Sequence, residues 1–270
     1  MPNSKPLLHT AFYKFSPLEN VDEMIDQIRG LTENLQGSIL LAPEGINGMV
    51  AGDIEAIDAF ETGLQAIPAF VGITFKRSEC KTVPFKKMKI RRKPEIVPLG
   101  IEGVDVTAGM GINVSPAEWR ELIDQDDVVL LDNRNSFEYR LGRFRNAIDP
   151  GVANFRDFPE YVKAHVAEWK SEGKRVAMYC TGGIRCEKTS AWMREFDVPV
   201  YQLEGGILNY FLQMPDAEKD WDGECFVFDN RIALDTHMQE TDTTLEDVYE
   251  GEPDGEWRLH RARRLQGDDT

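Results

Sequence analysis

Cysteine is scarce in this chain: four among 270 residues, at positions 80, 180, 186 and 225. They are too few and too scattered for a disulfide scaffold. None stands in the C-x-x-C pair from which structural zinc sites are built. Histidine is equally thin, and His9, His165, His237 and His260 are too dispersed to suggest a metal centre. The chain shows no phosphate-binding P-loop and no dinucleotide fingerprint, so no flavin, metal or other cofactor is identified. It has no run of eighteen apolar residues. Its first thirty residues lack the basic start, apolar stretch and small-residue cleavage site of a leader, and a cytoplasmic location is expected.

What the sequence has in excess is acid. The formal net charge is −16, which sets the mean field against a polyanionic partner. The charge is segregated, however. Between Lys76 and Lys93 nine bases face one acid, Glu79, a local balance of +8 that leaves −24 for the remainder. From Asp216 to Glu256 fifteen acids face only Lys219 and Arg231, a balance of −13.

Hydrophobic residues make up 41% of the chain, enough for cores in one large or two ordinary domains. Residues 8–15 are apolar and aromatic enough for a strand. Val21, Met24, Ile25, Ile28 and Leu31 then repeat at helical spacing. Ser38 to Leu41 and Met49 to Ala51 predict two strands, joined by the turn Pro43-Glu-Gly-Ile-Asn-Gly48, in which Glu44 and Asn47 sit. Asp53 caps a second helix bearing Ile54, Ile57, Phe60, Leu64 and Ile67, and Val71 to Lys76 predicts a further strand. The order βαββαβ predicts an N-terminal ferredoxin-like domain over residues 1–99. After Pro94 and Pro98 a second pattern begins. Ser115-Pro-Ala-Glu118 is a capping box opening a helix with Trp119, Leu122 and Ile123. Uninterrupted apolar strands at Val128 to Asp132, Arg175 to Tyr179 and Val198 to Gln202 suit an open parallel sheet covered on both faces, placed at residues 100–234. Residues 235–270 read as an acidic, mostly solvated tail that ends in Arg258, Arg261, Arg263 and Arg264.

Cys180 ends the strand Arg175 to Tyr179, and a helix follows its loop, which is where an open α/β sheet places ligands. In Cys180-Thr181-Gly182-Gly183-Ile184-Arg185 the two glycines let the backbone curl so that several amides converge on the sulfur. Those amides, the helix N-terminus and Arg185 favour the thiolate over the thiol. Cys180 is therefore the expected nucleophile. Cys186, inside the following helix, reads as a small core residue or as a resolving thiol for Cys180.

The Cys180 loop, with Leu131-Asp-Asn-Arg-Asn-Ser-Phe-Glu-Tyr139, Gly142-Arg-Phe-Arg-Asn-Ala147 and Leu203-Glu-Gly-Gly-Ile207, resembles a rhodanese domain. Four residues separate Cys180 from Arg185, one fewer than tyrosine phosphatases use to wrap a phosphate. A phosphatase or arsenate reductase is disfavoured. Across about residues 8–235, Leu41-Ala-Pro-Glu-Gly-Ile-Asn-Gly48, the Phe85-Lys-Lys-Met-Lys-Ile90 region with Pro94-Glu-Ile-Val97, Tyr179-Cys-Thr-Gly-Gly-Ile-Arg-Cys-Glu-Lys188 and Cys225-Phe-Val-Phe-Asp229 together resemble the bacterial oxygen-dependent tRNA uridine hydroxylase family. Many relatives carry extra cysteines in a C-terminal extension, and this chain has none after Cys225.

The resemblance implies hydroxylation of the wobble uridine of tRNA to 5-hydroxyuridine, with molecular oxygen as co-substrate and the electron donor unassigned. It implies the anticodon stem-loop as partner, no membrane, and nothing about protein partners. Lys86, Lys87, Lys89, Arg91, Arg92 and Lys93 would then neutralise tRNA phosphates. Asp132, Arg134 and Glu138, just after the Val128 to Leu131 strand, read either as supports of the active loop through charge-assisted hydrogen bonds to Arg185 or the backbone, or as a structural salt-bridge network that touches no substrate. Arg143 and Arg145 are candidates to line the pocket. The rival reading is a rhodanese-type sulfurtransferase carrying a persulfide on Cys180.

Overall fold

The structure is a computed structural model describing residues 7–109 and 111–266. The chain forms two compact units, and they are not contiguous in sequence. One unit takes the described residues up to Ile96, then Phe228–Arg231 and the segment from Glu256 onward. The other takes Val97–Val227 and Ile232–Gly255. This corrects the expected partition at residues 99 and 234.

In the first unit β1 (Leu7–Phe15), β2 (Gln36–Ala42), β3 (Gly45–Gly52), β4 (Thr74–Cys80) and β5 (Met88–Arg92) form one sheet in the order β4-β1-β3-β2-β5. Only β2 and β5 pair in parallel. Helix α1 (Val21–Leu31) starts where the Asn20 side chain accepts the Glu23 amide, and α2 (Ile54–Gln65) where Asp53 accepts that of Ala56. Their apolar faces bury Ile25, Ile28, Ile57, Phe60 and Leu64 against Phe12, Ile39, Ile46 and Val50 of the sheet. The expected strand at Val71 to Lys76 begins later, at Thr74. Pro68–Phe70 makes a 3-10 turn, and Gly72, with φ of 76°, turns the chain before it extends.

Strand β5 goes beyond the expected βαββαβ order. It alternates Met88 and Ile90, which pack on the core, with Lys89 and Arg91 on the opposite face. Cations along an edge strand also block pairing with another chain. On β1, His9 is buried and stacks on Phe85, with its Nε2 3.5 Å from Asp229 Oδ2. Asp229 in turn holds Arg231 through contacts of 2.9 and 2.7 Å. Burial first, and then the Arg231 charge, bring the His9 pKa down to about 3, so the imidazole is neutral.

The second unit has a parallel sheet of β6 (Ile112–Val114), β7 (Val128–Asp132), β9 (Arg175–Tyr179) and β10 (Val200–Leu203) in the order β6-β10-β9-β7. Helices α3 (Pro116–Leu122), α4 (Ser136–Leu141), α5 (Phe158–Ser171), α6 (Ile184–Met193) and α7 (Gly206–Gln213) connect it. The predicted capping box at Ser115 and Glu118 is present. A short pair, β8 (Gly142–Phe144) with β11 (Trp221–Gly223), carries Phe144 into the core, where Tyr179, Tyr210 and Trp221 meet it edge-on. Edge-to-face packing suits the ring quadrupoles.

The expected solvated tail is corrected here. After β12 (Cys225–Phe226) and β13 (Ala233–Leu234), helix α8 (Leu245–Tyr249) opens on a Thr244 and Asp247 capping box and buries Leu245 and Val248. Val248 packs with Phe137 and Phe226. Two apolar side chains five residues or fewer apart anchor a segment whose composition otherwise favours water. Helix α9 (Gly255–Gln266) follows. Among the described residues no helix is long and apolar enough to cross a membrane.

Candidate active site

Cys180 follows the last residue of β9 and is 1% exposed. The loop curls as the glycines predicted. Gly183 adopts φ of 99° as the N-cap of α6 and donates its amide to the Cys180 sulfur at 3.1 Å. Helix α6 starts at Ile184, so the amides of Arg185 and Cys186, in its first turn, also face the sulfur. The amides that converge on the sulfur thus include those of Gly183, Arg185 and Cys186. Burial pushes the Cys180 thiol up. The Cys186 side chain, the Arg185 charge and those amides outweigh it and bring the pKa down to about 6.

The other buried thiols of this unit go the opposite way. Burial pushes Cys225 up to about 12, and burial followed by the neighbouring Cys180 raises Cys186 well above its ordinary value. Cys186 is therefore a hydrogen-bond donor to Cys180, and it receives Asn133 Nδ2 at 3.9 Å. Asn133 is fixed by Thr189 Oγ1 at 2.9 Å.

Arg185 is held by Glu138 through contacts of 2.9 and 3.1 Å, with Glu138 fully buried. The arginine acts on the sulfur by its charge while its guanidinium is steered by α4. Asp132 and Arg134 form a second buried pair, at 2.8 and 2.6 Å, and Arg134 also donates to the Gly142 carbonyl at 2.6 Å. Its guanidinium lies over the Tyr179 and Trp221 rings, 5.6 and 5.4 Å from their centroids. Of the three expected loop supports, Glu138 reaches Arg185, and Asp132 and Arg134 brace the strand ends beneath.

Sequence spacing did not single out Gly206. With φ of 72°, it brings the start of α7 onto the loop, where Ile207 and Leu208 donate amides to the carbonyls of Cys180 and Thr181 at 3.0 and 3.2 Å. A Cβ on Gly206 would stand 2.7 Å from the Thr181 carbonyl oxygen and 2.8 Å from the Gly183 nitrogen. Its signal was the Leu203-Glu-Gly-Gly-Ile207 run, whose glycines are explained by this close approach. Arg143 stacks over Tyr139 at 4.9 Å and Arg145 pairs with Asp222 at 3.1 Å, so both expected pocket residues turn to other partners. Lys188, from the same motif as Cys180, donates to the Val97 carbonyl at 3.0 Å.

In the first unit, Glu44 and Asn47 clamp both polar groups of the Ile96 peptide, at 2.7 and 3.0 Å. The six basic candidates divide. Arg92 lies on the helix-covered face and pairs with Asp22 at 2.5 Å. Lys89 and Arg91 share the opposite face, and Lys86, Lys87 and Lys93 are exposed in the flanking turns. Lys87, Lys89 and Arg91 line a groove of about 990 Å³ with Arg29, Asn34 and Gln36.

A buried cysteine whose pKa is lowered by a glycine-bearing strand-to-helix loop, on a chain whose other unit is built on a five-stranded sheet, defines a candidate thiol active site in a two-unit protein. Comparison with known proteins agrees. Residues 7–96 match the UPF0176 acylphosphatase like domain and residues 115–212 the rhodanese-like domain. A Legionella pneumophila (strain Corby) protein named tRNA uridine(34) hydroxylase is 42% identical over 253 residues, covering 92% of this chain and 98% of its own. A Brucella ovis protein of the same name is 42% identical over 244 residues, covering 89% of this chain and 79% of its own. The chain belongs to the tRNA uridine(34) hydroxylase family.

Proposed function

We propose that this protein hydroxylates uridine 34 of tRNA at C5, with molecular oxygen as co-substrate and Cys180 as nucleophile. The observation that carries the proposal is the Cys180 sulfur: its pKa is brought down to about 6 while Cys225 is pushed up to about 12, in a relative of named tRNA uridine(34) hydroxylases. A thiolate that adds to C6 of uracil moves an electron pair onto C5 and the O4 enolate. That carbon is then nucleophilic enough to attack oxygen. Two electrons and two protons from an external reductant carry the second oxygen atom to water, and loss of the C5 proton expels the thiolate and restores the ring. Arg185 and the Gly183 amide supply positive charge where the adduct is negative. An anticodon base suits such a site, because a loop nucleotide unstacks at small cost. Cys180 is buried, so the base reaches it only when a path opens.

Lys86, Lys87, Lys89, Arg91, Arg92 and Lys93 serve the phosphates of the anticodon stem-loop in this scheme, with Arg92 contributing least because Asp22 already neutralises it. The test is nucleoside mass spectrometry of tRNA from cells with the wild-type gene, without it, and with Cys180→Ser. Loss of 5-hydroxyuridine and its derivatives in both altered strains is expected. An unchanged profile in the Cys180→Ser strain overturns the nucleophile. A 5-fluorouridine stem-loop should also leave a covalent adduct on Cys180. The rhodanese-like match favours one alternative, sulfur transfer through a Cys180 persulfide, and loss of a thiolated nucleoside would reveal it.

A further inference from the structure

We infer that the outward face of α9 is a second RNA-contacting surface, on which Trp257 stacks against a base or ribose while Arg261 and Arg264 meet phosphates. This rests on tRNA being the substrate, and it adds a contact surface far along the chain from the basic segment around β5. Helix α9 is two-sided. Arg258 is buried and Leu259 and Ala262 are half-buried, whereas Trp257, His260, Arg261 and Arg264 are exposed. Those four stand at i, i+3, i+4 and i+7, so they form one stripe. From Gly255 to Gln266 the helix carries four arginines and one acid in a chain of net charge −16.

Trp257 is the unusual member, 53% exposed, with the Arg261 guanidinium 5.2 Å from its ring centroid. An exposed aromatic ring flanked by guanidinium groups is the combination that single-stranded nucleic acid uses, the ring for any base face and the cations for the backbone. A lipid surface would require an apolar outward face several residues wide, and this stripe has one apolar side chain. Charge complementarity therefore selects a ribonucleotide strand.

The other four tryptophans, Trp119, Trp169, Trp192 and Trp221, are at most 6% exposed, so acrylamide quenching of the full-length protein reads Trp257. Unmodified tRNA transcript should bind and shield that fluorescence. Trp257→Ala should weaken binding about tenfold, and Trp257→Phe should retain most of the affinity. Arg261→Glu with Arg264→Glu should reduce the slope of log affinity against log salt by about two. All three positions are exposed, and equal melting temperatures would show that the variants fold. If tRNA binds without shielding Trp257, or if Trp257→Ala and the double variant bind within twofold of wild type, the α9 surface is refuted while Cys180-dependent hydroxylation stands. Shielding by phosphatidylglycerol vesicles but not by tRNA refutes it in favour of a lipid surface. No binding of tRNA by wild type refutes both this surface and the proposed substrate.

Discussion

Arg185 and Arg91 carry the same guanidinium into opposite settings. Arg185 is buried and locked to Glu138 by two contacts, whereas Arg91 is exposed on an edge strand beside Lys89. In the rhodanese unit, charge is taken out of water at a cost and aimed at one sulfur, so the geometry is fixed before any substrate arrives. In the sheet unit, charge stays in water, where it supplies a field that salt screens and that no single residue dominates. One unit concentrates its charge at a point and the other spreads it over a surface.

The largest way to break this contrast is Glu138→Ala. It leaves Arg185 buried without its partner, and the expected loss of stability is about 3–5 kcal/mol, measured by urea unfolding. A loss under 1 kcal/mol would mean that the Arg185 charge is not confined by α4. Among the surface cations the expected losses are smaller and uneven. Arg91→Glu should weaken tRNA binding roughly threefold to tenfold and flatten the salt dependence by about one unit of slope. Arg92→Glu should do less, because Arg92 already pairs with Asp22 on the other face. Equal losses would show that the field of the segment matters and its facing does not.

The finest probe is the thiol itself. Below pH 6 Cys180 holds its proton and iodoacetamide reacts slowly. Above it the rate should climb with a midpoint near 6, where the pKa is placed. Cys186→Ala removes a donor to the thiolate, so the midpoint should move upward toward about 8.5, the value of an unperturbed cysteine. A midpoint unmoved in Cys186→Ala would assign the acidity to Arg185 and the amides alone.

Much of the site was legible because its parts are adjacent in sequence. Strand, cysteine, two glycines, arginine and helix lie within one short stretch, and their local geometry follows from φ at Gly183 and the start of α6. The helices of both units were legible for the same reason, through the apolar spacing from Val21 to Leu31 and through Asp53 and Ser115 as caps. Strand β5 was not, since a five-residue edge strand of alternating Met, Ile and cations carries little apolar signal. The C-terminal segment was misread as solvated because composition weighs every acid equally, whereas burial is decided by a few residues such as Leu245, Val248 and Arg258.

The sequence by itself determined that Cys180 would stand at a strand end in an amide-lined turn, and that the bases would collect in one segment. Only the tertiary structure decided which side chains finish the site: Glu138 from α4, alone among the three candidate supports in reaching Arg185, with Asn133 after β7 and Gly206 at the start of α7, each distant along the chain from Cys180. The physical reason is that amide direction is a property of a few consecutive backbone angles. The partner of a buried charge and the glycine that permits close approach are chosen by whichever segments pack against the loop. The same holds for the basic segment, whose charge was countable from residues alone and whose two faces were set by pairing β5 with β2.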